Sequence, residues 1–258
     1  AETAADLAAR GFDVLVAEWR AHGLSGGRRT DNPQKHHLDD FGLLADDLEL
    51  ALDGVNGGAP RLLLAHSMGA LVATLHLARH PKRYAAAVLV APMFDINVFP
   101  WPKELARVVA QSAVTLGFGE AYAFSQGNYD PAERVFDPAN RLTSDPARYA
   151  VLQDLWAGQP EMRLGGVTFG WLAAAFRAMD AVTAGDIGLA AVETPTLILS
   201  APDDRIVDAA SHAVAAKRFR DARLVDFPHA KHELLMERDG IRTAVWRAID
   251  DFLADVLP

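Results

Sequence analysis

Apolar residues in this chain fall into two alternating rhythms. Largely apolar runs at residues 12–19 (FDVLVAEW), 61–67 (RLLLAHS), 84–93 (YAAAVLVAPM), 194–202 (TPTLILSAP) and 222–228 (ARLVDFP) read as strands. Between them, residues 2–10, 38–55, 69–80, 209–219 and 240–257 repeat their apolar positions at helical spacing. Gly11 stands where a helix C-terminus wants a glycine, and Pro81 ends the helix before it. Strands without a polar face belong in a parallel sheet covered on both sides, and strand–helix alternation predicts a doubly wound, mostly parallel α/β sheet.

The rhythm fails between the third and fourth strands. Residues 94–193 are rich in aromatics, among them Phe94, Phe99, Trp101, Phe118, Tyr122, Phe124, Trp156, Phe169, Trp171 and Phe176. They read as helices broken by Gly and Pro. A stretch of that length is too long for a connecting loop, so it is expected to form a helical cap inserted into a core made of residues 1–93 and 194–258. The aromatics Trp101, Trp156, Phe169 and Trp171 could line a pocket under the cap, and ordinary packing accounts for them equally well.

The second apolar run ends in Ala65-His66-Ser67-Met68-Gly69, and a helical stretch begins at once. Ligand sites of open parallel sheets lie beyond the C-terminal ends of the strands. A serine on a sharp strand-to-helix turn is pushed into that site, provided the residues two before and two after are small. Ala65 and Gly69 meet the demand in the pattern A-x-S-x-G, a variant of the nucleophile elbow. The helix starting at Met68 aims its dipole and free N–H groups at the serine, so the Met68 amide is the candidate oxyanion donor.

A serine hydroxyl needs a base, and the base an orienting acid, each on a loop after a later strand. The fourth strand is followed by Asp203, Asp204 and Asp208, and the fifth by His229 and His232. Asp208 suits a helix cap and Asp203 a solvated turn. His229 lies close to the strand end, whereas His232 has a short loop with which to reach back. The expected catalytic set is therefore Ser67, Asp204 and His232. His36 and His37 sit in a polar loop and are expected to be solvated. His76 and His80 belong to the helix after the serine, and His66 to the packing of the elbow. No further ligands accompany His36 and His37 at a defined spacing, and the glycines of residues 117–127 (GFGEAYAFSQG) follow no strand, so neither a metal nor a cofactor is expected.

Composition narrows the partners. The chain has 258 residues, a formal charge of -9 and scattered basic residues, which argues against nucleic acid. It has no cysteine, which removes disulfides and thiolate chemistry. No apolar run has the length of a membrane span and the N-terminal stretch is not a signal peptide, so a soluble, cytoplasmic protein is expected.

Four segments are similar to one family. EWRAHGLSGG (residues 18–27), AHSMGA (65–70), DDRIVD (203–208) and KHELLMER (231–238) resemble the loop, elbow, acid and histidine segments of α/β-hydrolases. The resemblance is to the branch of monoglyceride lipases and lysophospholipases, often grouped with serine aminopeptidase-like hydrolases. Glu18, Ala21, Ala65 and Ala70 depart from its pattern. The stretch 140–172 further resembles bacterial lysophospholipases. The resemblance implies an ester hydrolase acting on a single-acyl lipid, a lysophospholipid or a monoacylglycerol, without a cofactor. It also implies a strand ahead of the helix at residues 2–10, lying in the sheet between residues 12–19 and 61–67, whose following loop gives a second oxyanion donor. Neither is found in this sequence, and the chain starts at Ala1, so a fragment lacking N-terminal elements is the expectation. Other readings of the same residues are amide or peptide cleavage, another acyl transfer, and a non-catalytic or inactive truncated member.

Overall fold

The computed structural model describes residues 2–27, 30–55, 58–98, 100–184 and 187–257. Four parallel strands form its sheet, in the order β1 (Leu62–His66), β2 (Ala86–Val90), β3 (Thr196–Ser200) and β4 (Ala222–Asp226). Registers such as Leu64 opposite Val88 and Val88 opposite Leu197 carry the ladder across. The two central strands are buried at every position, as near-continuous apolar sequence in a covered parallel sheet requires.

Alternation along β2 divides the core. Ala87 and Leu89 face α2 (Gly42–Asp53), α3 (Met68–Arg79) and α6 (Phe169–Ala184), meeting Leu44, Leu71, Phe176 and Met179. Ala86, Val88 and Val90 face the opposite way, toward Leu7 of α1 (Glu2–Ala9) and toward Val245, Ile249 and Phe252 of α8 (Asp239–Val256). The remaining helices are α4 (Lys103–Thr115), α5 (Pro146–Gly158) and α7 (Ala210–Ala216). Asp145 caps α5 by accepting from the amides of Ala147 and Arg148, with Pro146 in the first turn. Thus each predicted helix of the sheet layers is present, with ends shifted or trimmed by one to a few residues.

Residues 12–19 differ from the expectation: they form no strand. Val14, Leu15 and Val16 are exposed, Val16 by 75%. An apolar run becomes a strand only when a neighbour takes its N–H and C=O groups. Among the described residues no strand lies beside this one, and β1 pairs only with β2. The same open edge leaves β1 half-buried throughout, where full burial was expected.

The stretch 94–193 carries α4, α5 and α6, with short 3-10 turns at Pro131–Arg134, Pro160–Met162 and Leu189–Ala191. Its aromatics divide. Trp171 is buried beside Phe41, whereas Trp101 stacks on Phe124 at 5.0 Å and Phe124 meets Phe169 edge-to-face at 5.3 Å. Phe99 lies outside the described residues. The expectation that His36 and His37 are solvated is corrected. His37 Nδ1 sits 2.8 Å from Thr168 Oγ1, and the His36 ring lies 5.1 Å from Trp171. Main-chain bonds of His36 to Gly166 and Thr168 draw this polar loop under α6. Burial then holds the His36 imidazole well below its ordinary pKa.

Candidate active site

Ser67 follows β1 directly and precedes α3, with φ 52° and ψ -120°. A non-glycine residue pays for such a conformation, of the order of 1–3 kcal/mol, so surrounding bonds must hold it. They do: the Ser67 amide donates to Val90 O at 2.9 Å, and its carbonyl accepts from Met93 at 3.1 Å and from Ala70 at 3.0 Å. Those anchors tie the turn to β2 and to the first turn of α3. Gly69 explains part of the demand for a small residue. A Cβ there would stand 3.6 Å from the Trp19 ring, in ordinary contact, so a methyl fits against that ring.

The serine hydroxyl donates to His232 Nε2 at 2.8 Å, and His232 Nδ1 donates to Asp204 Oδ2 at 2.6 Å. The tautomer follows from the partners, because a carboxylate only accepts and the serine is then left to donate. Asp204 Oδ1 faces the other way and accepts from the amides of Ile206 at 2.7 Å and Val207 at 3.1 Å. Asp204 and His232 are 8% and 3% exposed, so this pair works away from bulk water. Burial pushes the Asp204 carboxyl up, but the His232 bond and charge, together with the two amides, bring it below its ordinary value. The group therefore stays ionised beside the imidazole. Met68 opens α3, where its amide has no intrahelical acceptor.

The structure thus brings Ser67, His232 and Asp204 together and places the Met68 amide next to the serine in sequence. The alternatives lie elsewhere. Asp203 accepts from the His229 amide at 2.8 Å on the exposed side, and Asp208 accepts from Ala210 at the start of α7.

Sequence reading did not find the supports of the histidine loop. His66 Nε2 donates to the His232 carbonyl at 3.2 Å, with Glu233 Oε2 at 3.7 Å. Desolvation keeps His66 below the ordinary imidazole range despite that carboxylate, which suits a neutral donor. Glu237 is fully buried. Its carboxylate accepts from the amides of Lys231 at 2.9 Å, Ser144 at 3.2 Å and Arg238 at 3.2 Å. Thr143 Oγ1 donates to Met236 O at 2.6 Å, and the Glu233 amide to Leu142 O at 2.9 Å. Residues 140–144 are therefore stitched to the loop that carries His232. A Glu five residues past a histidine gives no periodic signal, so only the folded chain reveals it.

Comparisons with known proteins agree with this architecture. The chain is 35% identical to lysophospholipase L2 of Escherichia coli strain K12, over 98% of this chain and 75% of that protein. It is 33% identical to a probable lysophospholipase L2 of Haemophilus influenzae, over 98% of this chain and 78% of that one. Among solved structures, it superposes on a soluble variant of monoglyceride lipase from Saccharomyces cerevisiae with a TM-score of 0.69. That match has 16% identity and covers 92% of this chain and 76% of the other, so it speaks for the fold. The family model described as serine aminopeptidase, S33 matches residues 1–239. The chain belongs to this S33 hydrolase family and has the α/β-hydrolase fold.

Proposed function

We propose that the protein is a serine hydrolase that cleaves the carboxylic ester of a single-acyl lipid, a lysophospholipid or a monoacylglycerol, through an acyl-enzyme. The observation that carries this reading is the unbroken hydrogen-bond chain from Ser67 through His232 to Asp204, at a strained strand-to-helix turn. Similarity to lysophospholipase L2 proteins over nearly the whole chain supports the substrate class.

In this mechanism Ser67 Oγ attacks the ester carbonyl carbon as its proton passes to His232 Nε2. Asp204 stabilises the resulting imidazolium, and the Met68 N–H donates to the oxygen that gains charge. The tetrahedral intermediate collapses, the C–O bond to the alcohol breaks, and His232 returns the proton to the departing glycerol oxygen. Water then attacks the acyl-serine with the same base, releasing the fatty acid and restoring Ser67.

Contact with a lipid surface belongs to the same reading. No helix of the described residues is long and apolar enough to cross a membrane. Trp101, Leu105, Val108, Leu116, Phe118 and Phe124 on and around α4 are all exposed, Leu116 by 71%, which suits a face that touches aggregated substrate.

Two measurements test the proposal. A fluorophosphonate probe should label the protein stoichiometrically and fail on Ser67→Ala. A panel of lysophosphatidylcholine, monoacylglycerol, soluble acyl esters and aminoacyl amides should then show turnover of the esters. Labelling that persists without Ser67 removes the site; faster turnover of amides than of esters replaces the substrate class with the peptidase chemistry named in the family's description.

A further inference from the structure

A second cluster of chemical side chains lies at the far end of the helix that begins beside Ser67. Glu49 on α2, and His76 with the adjoining His80 at the C-terminal end of α3, present three ligand atoms that all lie within 4.8 Å of one another. Met68 and His76 are eight residues apart, about 12 Å along a helix axis, so the cluster is separate from the serine site.

Its parts are arranged unequally. His76 is fully buried, and its Nε2 lies 2.8 Å from Glu49 Oε2. The His80 ring stacks on it with centroids 4.5 Å apart and planes 27° apart. Residues i and i+4 share one helix face, so two imidazoles at this spacing can address one point. The other nitrogen of His76, Nδ1, meets the Tyr84 hydroxyl at 3.2 Å. Arg83 holds the second oxygen of Glu49, Oε1, at 2.8 Å, leaving Oε2 on the histidine side.

An ordinary buried histidine is satisfied once Glu49 and Tyr84 have been met. That accounts for His76; His80 suits the C-terminal dipole of α3, and its stacking on His76 brings a second imidazole to the same carboxylate. We propose that Glu49 Oε2, His76 and His80 form a Zn²⁺ site that clamps α2 to α3, with water completing a tetrahedron on the half-buried side. Two imidazoles and one carboxylate select zinc-like ions over Ca²⁺ or Mg²⁺, which want oxygen ligands. Bonds of about 2.0–2.1 Å set ligand atoms about 3.4 Å apart. Glu49 Oε2 and His76 Nε2, now 2.8 Å apart, must part slightly and His80 must close on the ion.

Binding changes one tautomer. With Nε2 on the ion, the His76 proton resides on Nδ1 and is donated to the Tyr84 oxygen, the outer-shell arrangement that fixes metal-bound imidazoles. Arg83 keeps Glu49 oriented. No proton leaves a neutral His76. The sequence shows only His76 and His80 at helical spacing; Glu49, 27 residues earlier, joins them through helix packing.

The test uses untagged, chelator-treated protein and Zn²⁺ alone, with calorimetry for affinity, thermal unfolding for stability and Co²⁺ absorption for geometry. The expected result is one equivalent bound with a dissociation constant of about 10 μM or tighter, together with a raised Tm by linkage. Co²⁺ should give visible bands of a four-coordinate ion. His80→Ala and Glu49→Gln should each weaken binding at least about tenfold, and Tyr84→Phe by about tenfold through the outer shell. His80 is half-buried, so its replacement leaves the fold intact, which the metal-free Tm of each variant verifies. No saturable binding, or affinity unchanged in either ligand variant, overturns the assignment. Neither outcome bears on ester hydrolysis at Ser67.

Discussion

Replacing Asp204 by asparagine tests the proposed chemistry at its least obvious point, because size and shape hardly change. The outcome follows from the two sides of this carboxylate. Oδ1 accepts from the amides of Ile206 and Val207, so only a carbonyl oxygen can remain there. The side-chain amide of Asp204→Asn is thereby forced to turn its NH₂ toward His232 Nδ1. A donor now faces Nδ1, which must accept, and the imidazole proton moves to Nε2, where it points at Ser67. The base is lost although each position keeps its hydrogen-bond geometry. In arrangements of this kind the wrong tautomer costs about 10⁴-fold in kcat, about 5 kcal/mol at 1.36 kcal/mol per decade. The assay is hydrolysis of a soluble acyl ester at neutral pH, alongside thermal unfolding to verify that the variant is folded. A folded Asp204→Asn protein within tenfold of the parent refutes the role given to Asp204, whatever Ser67 does.

Other expectations follow from packing and charge. Gly69→Ala should fold and hold stability within about 1 kcal/mol, since its methyl meets Trp19 at 3.6 Å and alanine is the better helix former. Gly165→Ala should lose about 1–3 kcal/mol in denaturant melts, because its Cβ would stand 2.6 Å from the Gly127 carbonyl; equal stability of the two variants contradicts this packing. Burial lowers the pKa of His36 and of His212, whose ring nitrogens meet Ser200 and the Pro92 carbonyl. The unfolded chain therefore binds more protons below about pH 6.5. Stability should fall as pH drops from there through the folded values, by up to about 1.4 kcal/mol per pH unit for each group. Urea melts at pH 7, 6 and 5 read this, and His36→Leu should flatten the slope by one proton. Leu105→Ser with Val108→Ser should weaken binding to phosphatidylcholine vesicles while leaving hydrolysis of a soluble ester unchanged; unaltered vesicle binding removes α4 from the lipid-facing surface.

The elements legible in the sequence were those whose cause is local. An apolar run that closes on Ser67 between Ala65 and Gly69 announces a strand and a tight turn within nine letters. The spacing of Leu71, Leu75 and Ala78 announces the helix after it. Residues 12–19 show the limit of that logic, since Val14 and Val16 are good strand formers that lack a neighbour to pair with. His36 misled for a related reason: its surroundings in sequence are polar, and only the pairing with residues 166–168 puts it under Trp171. Glu237 and Glu49 were invisible because each acquires meaning from residues far along the chain.

Glu237 has a mechanical consequence. Its single carboxylate ties the amide of Ser144, in the inserted stretch, to that of Lys231, immediately before the imidazole that faces Ser67. Displacement of residues 143–144 would therefore pull on the segment that carries His232. In the proposed hydrolysis this corner is the fixed jamb of a door, holding His232 in place while substrate is admitted elsewhere.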